Sequence, residues 1–250
     1  MNSILHAPPP EPIRDEELAR RSLLGFGEFI ALMGEGGGSP GAVLRRPGAV
    51  GARIDTAADN PWFDAVVVPL GADPPADDRL LPLCVWTMAD AVPGRVEDPA
   101  IATPCMGMSL HDLAPGGTAH VEPAPLAVLG EMNERAYGQA GVFGPLVRAL
   151  RDERVRSYGL RDGGEFVCVA ATLSMGDDLG IYFVATEQTH RRRGLASGLL
   201  RALLADARDA GMRTATLQAS ADGLGVYEKL GFRRVGDMRG YLRPAPRSAR

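Results

Sequence analysis

The chain has 250 residues, a formal net charge of −4, 45% apolar residues and 23% charged residues. That length accommodates one large or two small domains, and the composition is that of an ordinary globular protein. The slightly acidic balance argues against general affinity for nucleic acid, which needs a basic surface, but leaves room for a local anion site.

Cys84, Cys105 and Cys168 are widely spaced and form no Cys-x-x-Cys pair. The expectation is therefore free thiols in a reducing compartment, with neither a disulfide framework nor a metal centre. Residues 1–10 lack the basic-then-apolar order of a signal peptide, and no apolar run has the length of a bilayer span. A cytoplasmic protein with no membrane partner is the reading.

In chain order, residues 1–13 are rich in proline and read as loose. Residues 15–33 read as a helix, with Asp15, Glu16 and Glu17 in the first turn and Leu18, Leu23, Leu24, Phe29, Ile30 and Leu32 as its apolar positions. The glycine-rich residues 34–41 end it. Residues 42–54 and 62–69 read as strands, with Asn60-Pro61 as a turn between them. Residues 70–80 are loop, 81–88 a further strand, 93–104 carry no apolar period, and 105–110 form a short strand or bridge. Pro115-Gly116-Gly117 reads as a linker. The division expected is a loose 1–13, an N-terminal α/β part over 14–118, a C-terminal domain over 122–244 and a flexible tail over 245–250.

The second half is more regular. Residues 126–137 and 143–151 read as helices. Strands over 155–160 and 165–174 are joined by Asp162-Gly163-Gly164, a strong hairpin signal. Gly176-Asp177-Asp178 turns the chain into a strand over 179–185, completing an antiparallel meander. From Gly194 onward, Leu195, Leu199, Leu200, Leu203, Leu204 and Ala207 recur at helical spacing, and Gly211 is a C-cap. A strand over 214–219 follows with a parallel crossover, then a helix over 222–230 capped by Gly231. Residues 232–242 read as a final hairpin.

The most informative stretch is Arg191-Arg192-Arg193-Gly194-Leu195-Ala196, between the third strand of the meander and the long helix. The first amides of a helix have no intrahelical acceptor, and the helix dipole is positive there. Gly194 admits close approach of a ligand to the backbone, and guanidinium groups fork onto phosphate oxygens. Taken alone, the hexapeptide fits a solvated surface turn equally well.

The pattern Arg-x-x-Gly-x-Ala after a strand resembles the acyl-CoA pyrophosphate loop of the GNAT superfamily of N-acetyltransferases. A second segment, Ser220-Ala221-Asp222-Gly223-Leu224-Gly225-Val226-Tyr227-Glu228-Lys229-Leu230-Gly231-Phe232, resembles that family's tyrosine-bearing helix ending in Leu-Gly-Phe. The resemblance covers roughly residues 123–242. It implies an α+β GNAT acyl-CoA acyltransferase fold: a mixed, mostly antiparallel sheet with helices on both faces, preceded by a smaller α/β half. That first half fits a degenerate second GNAT copy or an unrelated α+β cap. It has no glycine-basic loop before a helix and no Tyr…Leu-Gly-Phe segment.

The resemblance further implies acetyl-CoA as cosubstrate and no metal. Backbone groups of Phe183, Val184 and Ala185 would pair with pantetheine. Arg191, Arg192, Arg193, Gly194, Leu195, Ala196 and Ser197 would cradle the pyrophosphate, with Ser220 as a further cofactor contact. Ser220 stands where the family often has Asn, and Gly223 where it often has Ala, so the Ser220 contact has fewer groups to offer. Tyr227 would be the general acid, since a phenol titrating near ~10 holds its proton at neutral pH.

No general base is legible. Glu187, Asp177, Asp178, His111, His120 and His190 each have a plain structural or solvated reading as well, and water can take the proton. Trp62 and Trp86 read as core residues or as lining of an acceptor pocket between the halves. The expected activity is N-acetyl transfer to a small-molecule amine by direct attack, in a monomer or homodimer. A non-catalytic CoA-binding protein and a nucleotide phosphate binder of another fold are the alternatives, and the absence of Gly-Lys-Ser/Thr weighs against the last.

Overall fold

Helix α1 (Asp15–Gly36) opens the computed structural model, which describes residues 12–36, 43–54, 61–74, 81–115 and 119–244. Residues 1–11 of the stretch read above as a loose 1–13, most of the glycine-rich breaker, Asn60, residues 75–80, the Gly116-Gly117 linker and the tail 245–250 lie outside the described residues. Three acidic residues in the first turn of α1 complement the helix dipole. Its glycines let it press onto the sheet: a Cβ on Gly34 would stand 2.3 Å from that of Ala52. Among the described residues no helix is long and apolar enough to cross a membrane.

The strands that follow are β1 (Val43–Arg46), β2 (Ala49–Ala52), β3 (Ala65–Val67), β4 (Cys84–Thr87), β5 (Val96–Glu97) and β6 (Thr103–Ser109). The single strand expected over 42–54 is in fact the hairpin β1–β2, because Gly48 turns the chain at φ +90°. The second half contributes β7 (Glu122–Pro123), α2 (Leu126–Tyr137), α3 (Phe143–Arg148), β8 (Val155–Asp162), β9 (Glu165–Met175) and β10 (Asp178–Thr186). It ends with α4 (Leu195–Asp209), β11 (Thr214–Gln218), α5 (Leu224–Leu230) and β12 (Arg233–Leu242).

The strands form one mixed sheet in the order β1-β2-β3-β4-β12-β6-β11-β10-β9-β8-β7, with β5 on β12. Among the described pairs only β3/β4 and β10/β11 are parallel. The final hairpin expected over 232–242 is a correction: those residues are the one strand β12. Its antiparallel neighbour β6 lies far upstream, and Arg233 pairs with Gly107. No local pattern announces a partner so distant in sequence.

The two halves repeat one connection. An antiparallel run β1-β2-β3 is followed by β4 parallel to β3, and an antiparallel run β8-β9-β10 is followed by β11 parallel to β10. Each half then sends its last strand across. β6 lies on β11, β12 lies on β4, and the two pair with each other at the centre.

Side chains alternate across the sheet. Tyr182 of β10, with Val169, Ala171 and Leu173 of β9, enters a core shared by α1, α2 and α3. Leu179 and Ile181 point to the other face, where Leu200, Leu204, Tyr227 and Leu230 of α4 and α5 cover them. The helical face read from the sequence of α4 is the buried one: Leu199, Leu200, Leu203, Leu204 and Ala207.

The Glu28 carboxylate is one of the links between the halves. Glu28 of α1 accepts from Arg45 of β1 at 2.8 and 3.0 Å and from Arg154, just before β8, at 2.8 Å. Burial alone would raise its pKa, but the two guanidinium groups outweigh burial and hold it below the usual 4.5. A carboxylate depressed in the folded state contributes stability that is complete above its unfolded pKa and is lost as pH falls through the folded one. Thermal stability is therefore expected to fall on acidification below about 4.5. The Glu28→Gln variant should start less stable and lose less over the same range. An identical acid limb in both proteins, measured by calorimetric melting, would remove Glu28 from this role.

Candidate active site

The parallel pair β10/β11 holds register only from Asp178↔Thr214 to Ile181↔Leu217. Beyond that the strands part. On β10 the cause is a bulge: the register with β9 shifts between Tyr182↔Ala171 and Ala185↔Val169, so Phe183 and Val184 face a single residue. Phe183 sits at φ +52°, a conformation an aromatic residue adopts only when its surroundings impose it. One such constraint is Asn133 of α2, whose Nδ2 donates to the Phe183 carbonyl at 3.0 Å and to that of Leu129 at 2.8 Å. On the other side, the Ala219 amide donates to Pro104 O at 2.9 Å and draws the end of β11 toward β6. The gap opens into a cleft of about 1220 Å³.

At one end of the cleft lies the basic loop. A short turn, Gln188–His190, leads to Arg192 at φ +62° and Gly194 at φ +78°, where α4 begins. Gly198 N donates to Gly194 O at 2.9 Å. The amides of Leu195, Ala196 and Ser197 precede that first helical bond and have no acceptor within the helix. Arg191, Arg192, Gly194, Leu195, Ala196 and Ser197 line the cleft, as do Phe183, Val184, Ala185 and Ser220. Arg193 is placed differently. Its guanidinium donates to Thr189 O at 3.0 Å and stands 4.0 Å from Asp162, so its side chain turns away from the cleft.

Tyr227 of α5 lines the cleft with 8% of its surface exposed, its ring edge-on to Phe232 at 6.0 Å. Burial first, and then the neighbouring Tyr137 and Cys168, push its pKa above the usual 10. Tyr137, at the end of α2, is a lining residue that sequence reasoning missed. Its hydroxyl meets the side chain of Ser220, with Arg191 and Asp222 close by, and burial raises its pKa overall. Asn133 was missed as well, although a signal existed: a polar residue one turn after Leu129 on the buried face of a helix.

The acidic candidates for a base are engaged elsewhere. Glu187 accepts from Arg135 at 2.6 Å, and Asp177 from Arg21 at 2.6 Å. Asp178 is buried, accepting the hydroxyls of Thr214 at 2.5 Å and Thr216 at 2.7 Å, with burial raising its pKa. His111 and His120 are exposed and off the cleft wall, whereas His190 lines it, next to Asp162 at 3.3 Å. Trp62 and Trp86 line the cleft, with Phe26, Phe29 and Phe63 from the same half of the chain.

A bulged strand parting from its parallel neighbour beside a free helix N-terminus is the arrangement expected of the fold that the sequence motifs resemble. Residues 127–232 match the model of the acetyltransferase (GNAT) family. Two solved structures share the fold. A GCN5-related N-acetyltransferase from Kribbella flavida is 18% identical with a TM-score of 0.60, over 91% of this chain and 96% of that one. A GNAT-family protein from Novosphingobium aromaticivorans is 18% identical with a TM-score of 0.53, over 85% and 95% respectively. No curated protein matches the chain. The fold sets aside the nucleotide binder of another architecture.

Proposed function

We propose that this protein is a cytoplasmic acyl-CoA-dependent N-acyltransferase that moves an acetyl group from acetyl-CoA to a primary amine of a small acceptor. The observation that carries this reading is the convergence of three features in one cleft: the unpaired edge of β10 at its bulge, the free N-terminus of α4, and Tyr227. The residues present fit the cosubstrate. Open space surrounds Gly194, where no atom lies within 4 Å of the place a Cβ would take, so a phosphate has room against the backbone. Arg191 and Arg192 supply charge to it.

Bound there, acetyl-CoA supplies an activated thioester. The backbone of Phe183, Val184 and Ala185, released from β11, pairs with the extended arm of the ligand. An amide near Val184 polarises the acyl carbonyl, a fixed donor of the oxyanion-hole type. Tyr227 holds a proton for the leaving sulfur. Positioning of this kind contributes about 7–11 kcal/mol toward lowering such a barrier.

We read the N-terminal half as a degenerate second copy of the same unit. Its repeated strand connection and the reciprocal exchange of β6 and β12 support this. There the pairing runs on past the strand: β3 ends at Val67, and Val68 N still donates to Trp86 O at 2.8 Å. Calorimetric titration with acetyl-CoA is expected to give one site per chain. Two sites would show a working cleft in the first half, and none would overturn the proposal.

A further inference from the structure

Part of the cleft is walled by aromatic rings. Phe183, on the bulge, lies 5.9 Å from Phe63 and 5.4 Å from Phe143 between ring centroids. Phe26 stands edge-on to Trp86 at 6.0 Å, and Trp62 adjoins them. Four of these six rings come from the N-terminal half. The polar handle of Trp86 is already used, its Nε1 donating to Trp62 O at 2.9 Å. Among the described lining residues the ionisable groups other than tyrosines are His190, Arg191, Arg192, Asp222 and Lys229, and all belong to the basic loop or the Ser220–α5 segment.

Resting on the acyltransfer reading above, we propose that the acceptor is a neutral aromatic amine of low basicity, held by this aromatic wall. Two physical arguments converge. Burying an ammonium or a carboxylate against these rings without a counter-charge is costly, whereas an aromatic ring gains edge and offset contacts there. An alkylammonium attracted to the ring faces is not a nucleophile until it loses a proton, and Glu187, Asp177 and Asp178 are bonded to other groups off the wall. An arylamine arrives uncharged with its lone pair free. Its nitrogen adds to the acyl carbon, the carbonyl oxygen takes up the charge, and collapse of that adduct breaks the carbon–sulfur bond. The nitrogen releases its proton to water, the sulfur takes one from Tyr227, and water returns a proton to the phenolate.

The test uses three ring-matched amines with acetyl-CoA: p-toluidine, which is neutral, 4-methylcyclohexylamine, which is cationic, and 4-aminobenzoate, which is anionic. Released thiol and product mass are followed. The kcat/KM for p-toluidine is expected to exceed both others by about tenfold or more. Trp62→Ala and Phe63→Ala should raise its KM while calorimetric acetyl-CoA affinity stays unchanged. The chain's only two tryptophans, Trp62 and Trp86, both line this wall, so quenching of their fluorescence by p-toluidine reports occupancy without turnover. Preference for either charged amine, or no quenching with acetyl-CoA bound, overturns the acceptor assignment and leaves the acyltransfer reading intact. Quenching without acetylation of any amine overturns the acyltransfer reading and the assignment with it.

Discussion

Tyr227→Phe is expected to lower kcat by about 10²- to 10⁴-fold, the usual contribution of a positioned general acid. The substitution keeps the ring, its edge contact with Phe232 and its place in the core under α5. Only the hydroxyl is lost. Acetyl-CoA affinity should change little, because the loop that meets the phosphates is a separate element. The pH profile adds a second reading. Burial raises the Tyr227 pKa, so the phenol stays protonated through the neutral and mildly alkaline range. No fall in rate from loss of its proton is expected below about pH 10. Full turnover in Tyr227→Phe, with chemistry limiting the rate, would make this tyrosine a packing residue and assign the proton to water or to Tyr137.

Gly194→Asp is expected to weaken acetyl-CoA binding by about 10²- to 10³-fold, since like charges brought into contact cost several kcal/mol. The fold should persist. The position has φ +78°, which Asp tolerates better than most residues, and no neighbouring atom lies close enough to clash. Gly194→Asn separates the terms, as it adds a similar bulk without the charge. Calorimetry showing unchanged affinity in Gly194→Asp, with an unchanged melting curve, would move the phosphate site away from α4.

What the sequence revealed was local. The basic loop, the face of α4 and the tyrosine-bearing helix are each encoded within some fifteen residues by glycine placement and apolar period. The structure sets the loop, the start of α4 and the tyrosine of α5 around one cleft. The parallel crossover from β10 to β11 was legible for the same reason, a strand-helix-strand order with a capped helix between. The rest depended on chain segments far apart. β12 was misread as a hairpin because its partner β6 is supplied by the other half of the molecule. Tyr137 reaches the cleft, and Asn133 the Phe183 carbonyl, only because α2 packs across β10. The aromatic wall joins Phe26, Phe63 and Trp86 to Phe143 and Phe183, and nothing in their spacing foretells that they meet. Arg193 shows the converse limit. It belongs to the motif, yet the turn at Arg192 points its side chain toward Thr189 and Asp162.

The most direct test of the central claim is to incubate the protein with acetyl-CoA and a panel of primary amines and to follow products by mass spectrometry. An N-acyltransferase predicts that at least one amine gains a single acetyl group for each CoA released, and that the gain largely disappears with Tyr227→Phe. Acetyl-CoA that binds in the cleft and is never passed to any amine would contradict the account and leave a CoA-binding protein without transferase activity.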